Sequence, residues 1–249
     1  MGIKTIAMGS MLIDHIGAVV LRRMLTQQKS VLTEAGTYQS WDQCYHILRN
    51  IGRLAFPLYC FLLVQGFFYT RSRIRYTIQM FLFAILSEIP FDLAFNYSSY
   101  SKNEGFIANM SSLWRSNNVF WTLGIGLVCL GMMEHCVENS QKLCIAVVGM
   151  GLAEYVFHTD YGAVGVSVIL VYYFYSRNPL MATTIGVFLL AFFSSKSEWY
   201  ALLNIFVIGA YNGTYGIANK KIKYLFYGFY PLHLLLLVFL AAAVELSIL

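Results

Sequence analysis

Apolar residues fall along this chain in long runs separated by short polar breaks, and not in the strict alternation of a half-buried strand. A helix needs roughly 17–25 apolar residues to cross a hydrocarbon layer. Read with that ruler, the chain contains about nine membrane-length helices, at 4–21, 51–70, 77–95, 118–134, 142–157, 161–176, 180–195, 199–213 and 224–246, several of the middle ones short. The largest stretches between them, 22–50 and 96–117, read as loops too small to fold as a soluble domain. The expectation is an all-α, polytopic transmembrane helix bundle forming a single domain over residues 1–249. No internal repeat is evident. The first run is expected to be retained, because Asp14 and His15 stand where a cleaved signal would be purely apolar.

Composition supports the membrane and narrows the partners. Hydrophobic residues make up 58% of the 249 positions and charged residues 12%, whereas soluble domains carry about 25% charged residues. The surplus is basic, +5 overall. That suits loops facing anionic headgroups, or an anionic ligand. It does not suit nucleic acid, since no basic stripe alternates with exposed aromatics. The compact runs Arg71-Ser-Arg73-Ile-Arg75 and Lys220-Lys221-Ile-Lys223 fall on the same side as the N-terminus when the spans are threaded, which predicts a cytoplasmic N-terminus and an outside C-terminus. Five cysteines, without a C-x-x-C spacing, indicate neither a disulfide framework nor a zinc site, and no metal is expected.

Candidate chemistry lies in the few ionisable groups inside these apolar runs, where each is costly without a partner or a wet cavity. Asp14 and His15 sit in the first span. Arg49 and Arg53 share a helix face at the entry to the second, just before Pro57. Glu88 and Asp92 flank Pro90 at the end of the third, Asn118 opens the fourth, and Asp160-Tyr161-Gly162 follows the fifth. Tyr230 and His233 are three residues apart in the last span. Threading brings all of these except the last pair, Tyr230 and His233, to one half of the bundle. Plain structural readings stand beside the chemical ones. Asp14 could pair with an arginine to lock two helices, Glu88 with Arg53 and Asp92 with Arg49 as ion pairs. Asp160 suits a helix N-cap, and His233 could donate to a carbonyl freed by Pro231. His46 and His135 read as surface residues. Glycine-rich phosphate loops, serine-nucleophile elbows and metal-spaced histidines are absent.

In order along the chain, Met11-Leu-Ile-Asp14-His15-Ile-Gly17, Ile51-Gly52-Arg53-Leu-Ala-Phe56-Pro57, Ser87-Glu88-Ile-Pro90-Phe-Asp92, Asn118-Val-Phe, Asp160-Tyr161-Gly162, Tyr211-Asn212-Gly213 and Phe229-Tyr230-Pro231-Leu-His233 resemble the TraX family of integral-membrane acetylases. The resemblance implies a multi-pass acyltransferase drawing on acetyl-CoA and acting on a peptide, pilin-like or other cell-envelope acceptor. One departure is Thr214-Tyr215-Gly216, where a basic residue is expected after Tyr211-Asn212-Gly213; Lys220 or Lys221 is near enough to replace it.

Acetyl transfer needs a base, an oxyanion donor and a place for the thioester. His15 is the candidate base, Asp14 an orienting group, Arg53 and Tyr230 oxyanion donors, and His233 a second base or acetyl carrier. Glu88, Asp92, Asn118, Asp160 and Tyr161 are candidates for holding the acceptor. Arg71, Arg73, Arg75, Asn212, Lys220, Lys221 and Lys223 are candidates for the donor's phosphates and their surroundings, although positive-inside anchoring explains the same cations. Two other classes stay open. A transporter or flippase would use the buried carboxylates and histidines as a relay, but lacks paired repeats here. A non-catalytic assembly factor for a surface peptide would not need them as reacting groups.

Overall fold

The computed structural model describes residues 2–34, 36–95, 116–211 and 220–246, with the helical backbone alone for 220–226, 245 and 246. Every long element among the described residues is helical. The chain runs through α1 (Gly2–His15), a π-helical segment (Ile16–Leu21), α2 (Arg22–Gln27), α3 (Lys29–Glu34), α4 (Tyr38–Gly52), α5 (Ala55–Tyr69) and α6 (Arg73–Phe95). It continues through α7 (Val119–Met133), α8 (Asn139–Gly151) with a π-helical end (Leu152–Val156), α9 (Gly162–Phe174) and α10 (Pro179–Phe193). A 3₁₀ segment (Lys196–Leu203), α11 (Asn204–Gly209) and α12 (Lys220–Leu246) complete it. Among the described residues, four helical stretches are long and apolar enough to cross a bilayer: Gly2–Gln27, Tyr38–Tyr69, Arg73–Phe95 and Tyr227–Val244. Val119–Met133, Gly162–Phe174 and Pro179–Phe193 are shorter apolar helices.

The bundle is organised around α5, whose residues from Ala55 to Phe67 are buried on nearly every side by α1, α7, α9 and α10. In lipid there is no hydrophobic drive between apolar helices, so shape and polar contacts must hold them. Small residues provide the close approaches: Gly124 lies against Phe81, Gly126 against Ile169 and Gly149 against Cys129. The opposite faces are greasy. On α6, Ile74, Ile78, Leu82, Ile85, Leu86 and Ile89 are exposed while Ser87, Glu88 and Asp92 are buried. On α12, Leu232, Leu236, Phe239 and Leu240 are exposed while His233 and Leu234 are buried. Polar groups inside and large apolar groups outside mark helices solvated by lipid. The protein is a helical membrane bundle.

Two expectations need correction. Residues 22–50 are not a loop but α2, α3 and α4, because Tyr38–Gly52 places its polar residues outward and runs directly toward α5. The bend in that stretch is at Arg53–Leu54, where tight bonds run from Arg53 N–H to Asn50 O and from Leu54 N–H to Ile51 O. Pro57 sits in the first turn of α5, where its missing N–H costs little. As the 77–95 run implied, the third long helix carries Pro90 inside it and continues to Phe95, and the Arg23 guanidinium bonds the Leu93 and Ala94 carbonyls at 2.6 and 3.3 Å. Finally, the 199–213 run is a 3₁₀ segment followed by a short helix, with Glu198 fully buried at its start.

Candidate functional site

A four-charge cluster joins α1 and the junction of α4 and α5 to the 3₁₀ segment that follows α10. Asp14 accepts from Arg49 at 2.5 Å through Oδ2 and from Arg53 at 3.1 Å through Oδ1. Arg53 reaches Glu198 Oε1 at 2.8 Å with its other terminal nitrogen and Arg49 O at 3.1 Å through Nε. One guanidinium fork thus bridges two carboxylates. The helices meet closely here: a Cβ on Gly52 would stand 2.1 Å from Asp14 Oδ1. Asp14 therefore takes the arginines that the sequence reading paired with Glu88 and Asp92. Glu198 was missed by that reading. Charge bookkeeping points to it, since one aspartate cannot balance both Arg49 and Arg53, and an apolar bundle must supply the second anion.

His15, one residue on, faces elsewhere. Its Nδ1 lies 2.7 Å from His233 Nε2, and the two rings are parallel within 2° with centroids 5.0 Å apart, the arrangement of imidazoles joined end to end in one plane. His233 Nδ1 lies 2.7 Å from Phe229 O. A carbonyl only accepts, so His233 Nδ1–H donates to it. In the neutral pair, His233 Nε2 must then accept from His15 Nδ1–H, which leaves the lone pair on His15 Nε2. Phe229 O is the carbonyl four residues before His233, whereas Pro231 frees that of Tyr227. The bond is therefore not the proline repair considered above. The Tyr230 ring packs edge-on to both imidazoles, at centroid distances of 6.0 and 5.7 Å, and Phe95 edges His15 at 5.3 Å. A π-helical segment begins directly after His15, a widening often found where a helix carries function.

A second buried group lies on α6 and α7. Glu88 Oε2 accepts from Asn118 Nδ2 at 2.6 Å and from Trp121 Nε1 at 3.0 Å. Asn118 also caps α7 by accepting from Phe120 N–H. Phe120 packs on Tyr230 with ring centroids 5.0 Å apart, linking this cluster to the imidazoles. Glu88 Oε1 is buried without a hydrogen-bond partner.

The turn after α8 closes over this region. His158 and Gly162 both have positive φ, 45° and 49°. Asn117 ties the turn down by donating its N–H to His158 O and accepting from Asp160 N–H. Tyr161 stacks on Phe56 at 3.6 Å. Tyr161, not Asp160, is the N-cap of α9, and its side chain makes no capping bond. The Asp160 carboxyl is pushed up to about 6 by the protein around it and by the charge of Asp14. As pH rises through that value the turn gains a negative charge, so attraction for a cation appears above it. The difference infrared spectrum between the wild type and Asp160→Asn should show a carboxyl C=O band that disappears with a midpoint near 6. A midpoint near 4, the value of a solvated aspartate, would remove this role.

Of the cations considered for the donor, Arg73 is ion-paired with Glu134 and lies over the Phe67 ring. Arg71 and Arg75 are exposed. Lys220, Lys221 and Lys223 fall at the start of α12, where only the backbone is described, and Asn212 lies outside the described residues.

The TraX protein family profile matches residues 2–241. A probable fimbrial assembly protein of Dichelobacter nodosus, FimC of serogroup H1, is 28% identical over 214 residues, covering 80% of this chain and 83% of that protein. No solved structure matches.

Proposed function

The chain belongs to the TraX family, and from that premise we propose that it is a membrane-embedded acetyltransferase. It moves an acetyl group from acetyl-CoA to an amine or hydroxyl on a peptide, pilin-like or other envelope acceptor. The observation that carries the reading is the chain from Phe229 O through His233 to His15, set in a membrane bundle beside a tyrosine. An ion pair suffices to hold helices together, and the Asp14–Arg53–Glu198 cluster already does so. A relay that fixes one imidazole tautomer is what a general base requires.

In this mechanism the acceptor's N–H or O–H gives its proton to His15 Nε2 as its lone pair attacks the thioester carbonyl. Tyr230 steadies the tetrahedral oxyanion, with the Arg53 cation nearby as the second candidate. Collapse breaks the C–S bond, and the proton held by His15 passes to the departing sulfur, giving CoA thiol and acetylated acceptor. Asp14 acts by anchoring α1 through Arg49 and Arg53 rather than by touching the imidazole. Glu88, Asp92, Asn118, Asp160 and Tyr161 are assigned to the acceptor side. The similarity to a fimbrial assembly protein favours a surface-fibre subunit as the acceptor.

The test is incubation of the purified protein in nanodiscs with radiolabelled acetyl-CoA and a panel of pilin-like peptides and amino sugars, following thioester loss and transfer of label. CoA release with acceptor labelling is expected. Failure of every acceptor, together with uptake of a solute by reconstituted vesicles, would replace the enzyme with a transporter.

A further inference from the structure

A cavity of about 290 Å³ runs beside α1, between it and α5, α6, α7 and α12. The residues of α1 that face it or the imidazoles are Lys4, Met8, Met11 and His15, a spacing of four, three and four that keeps one helix face over three turns. At 1.5 Å per residue, Lys4 and His15 are about 16 Å apart along the helix. On the facing helix Tyr59, Leu63, Gly66 and Thr70 repeat the pattern over the same length. The cavity is thus a channel parallel to the helices. Lys4 and Thr70 stand at one end, and Met11 and Tyr230 at the other, where Tyr230 packs against both imidazoles.

Resting on the acetyltransferase reading above, we infer that this channel takes the acylated pantetheine arm of the donor, with the nucleotide held outside at the Lys4 end. The volume lies at the lower limit of small-ligand sites, enough for an extended arm and not for a whole CoA. The lining matches that occupant. Methionines and leucines suit its methylene segments, whereas four tyrosines, Tyr59, Tyr76, Tyr227 and Tyr230, offer hydroxyls to its two amide groups. A lipid tail has no use for such hydroxyls. The mouth at Lys4 and Thr70 adjoins Arg71 in sequence, placing positive charge where the donor's phosphates emerge. Length, polarity and charge agree on one ligand, and an arm threaded this way carries its thioester to Tyr230 and His15.

The experiment uses a thioether analogue of acetyl-CoA, which binds without transferring, titrated calorimetrically into the protein in nanodiscs. Met8→Trp and Val119→Trp, both half-buried on opposite walls of the cavity, are expected to weaken its binding at least tenfold. In the transfer assay they raise the donor KM by a similar factor and leave the acceptor KM unchanged. His15→Ala is expected to bind the analogue as tightly as the wild type. Analogue affinity unaltered in folded Met8→Trp and Val119→Trp would overturn the channel, as would a co-purified phospholipid in it that the analogue does not displace. Binding with these sensitivities but no acetyl transfer to any acceptor would support the channel and overturn the acetyltransferase reading, so the two fail separately.

Discussion

Replacing His15 by alanine is expected to slow acetyl transfer by roughly 10²–10⁴-fold, the range of a positioned general base, with donor affinity retained. Phe229 O fixes the His233 tautomer, His233 fixes that of His15, and the only lone pair left in the pair is on His15 Nε2. His233 is then a positioning residue. His233→Ala frees the His15 ring to turn, and misplacement alone costs up to about 10²-fold. His233→Gln separates positioning from chemistry, since its amide oxygen can still accept from His15 Nδ1–H while no imidazole remains to titrate. It should recover most of the rate lost in His233→Ala. If His233→Gln is as inactive as His15→Ala, His233 has a chemical part of its own and the direct route fails. In the direct route no acetyl-enzyme is trapped with labelled donor; label found on His233 would lead to the same correction.

Much of this site was visible in sequence as single residues, and little of it as pairs. Asp14, His15, Arg53, Glu88 and His233 stand out because ionisable groups in apolar runs are costly. Which of them meet depends on helix rotation and packing, and neither is set by the run itself. His15 and His233 are 218 positions apart, and nothing local announces their bond. Glu88 finds Asn118 and Trp121 instead of an arginine because Asp14 and Glu198 already absorb both guanidinium groups. The membrane-length runs gave the helices their places, but 22–50 read as loop because α4 carries polar residues along its outer face and its mean hydropathy conceals its period. Glu198 was overlooked for the opposite reason, as an acid at the end of an apolar run looks like a boundary. The Lys4-Met8-Met11-His15 stripe was present in the sequence throughout. In a helix apolar all round, a channel-facing stripe and a lipid-facing one have the same composition.

The second large effect falls on stability. Arg53→Leu leaves Glu198, fully buried, without the guanidinium that holds it, and leaves Asp14 with Arg49 alone. Breaking a buried ion pair from one side costs about 3–5 kcal/mol. In a chain of this size that lowers the unfolding midpoint by about 10 °C or more. Arg53→Lys should fall near the leucine variant, since a single ammonium cannot span Asp14 and Glu198 as the planar fork does. The informative variant is the double one. Arg53→Leu with Glu198→Leu removes one cation and one anion, leaves Asp14 paired with Arg49, and puts apolar volume in an apolar place. It should regain at least about 2 kcal/mol over Arg53→Leu alone, because the orphaned charge is gone and desolvated pairs are often no better than well-packed side chains. Thermal unfolding of the four proteins of this cycle in detergent reads the coupling directly. Equal stability of the single and double variants would show that Arg53 is valued for its bond to Asp14 and not for Glu198. Activity separates the two roles further. If the cluster serves only to seat α1 on α4, the double variant regains transfer together with its fold. If Arg53 also faces the developing oxyanion, the fold returns and the rate does not.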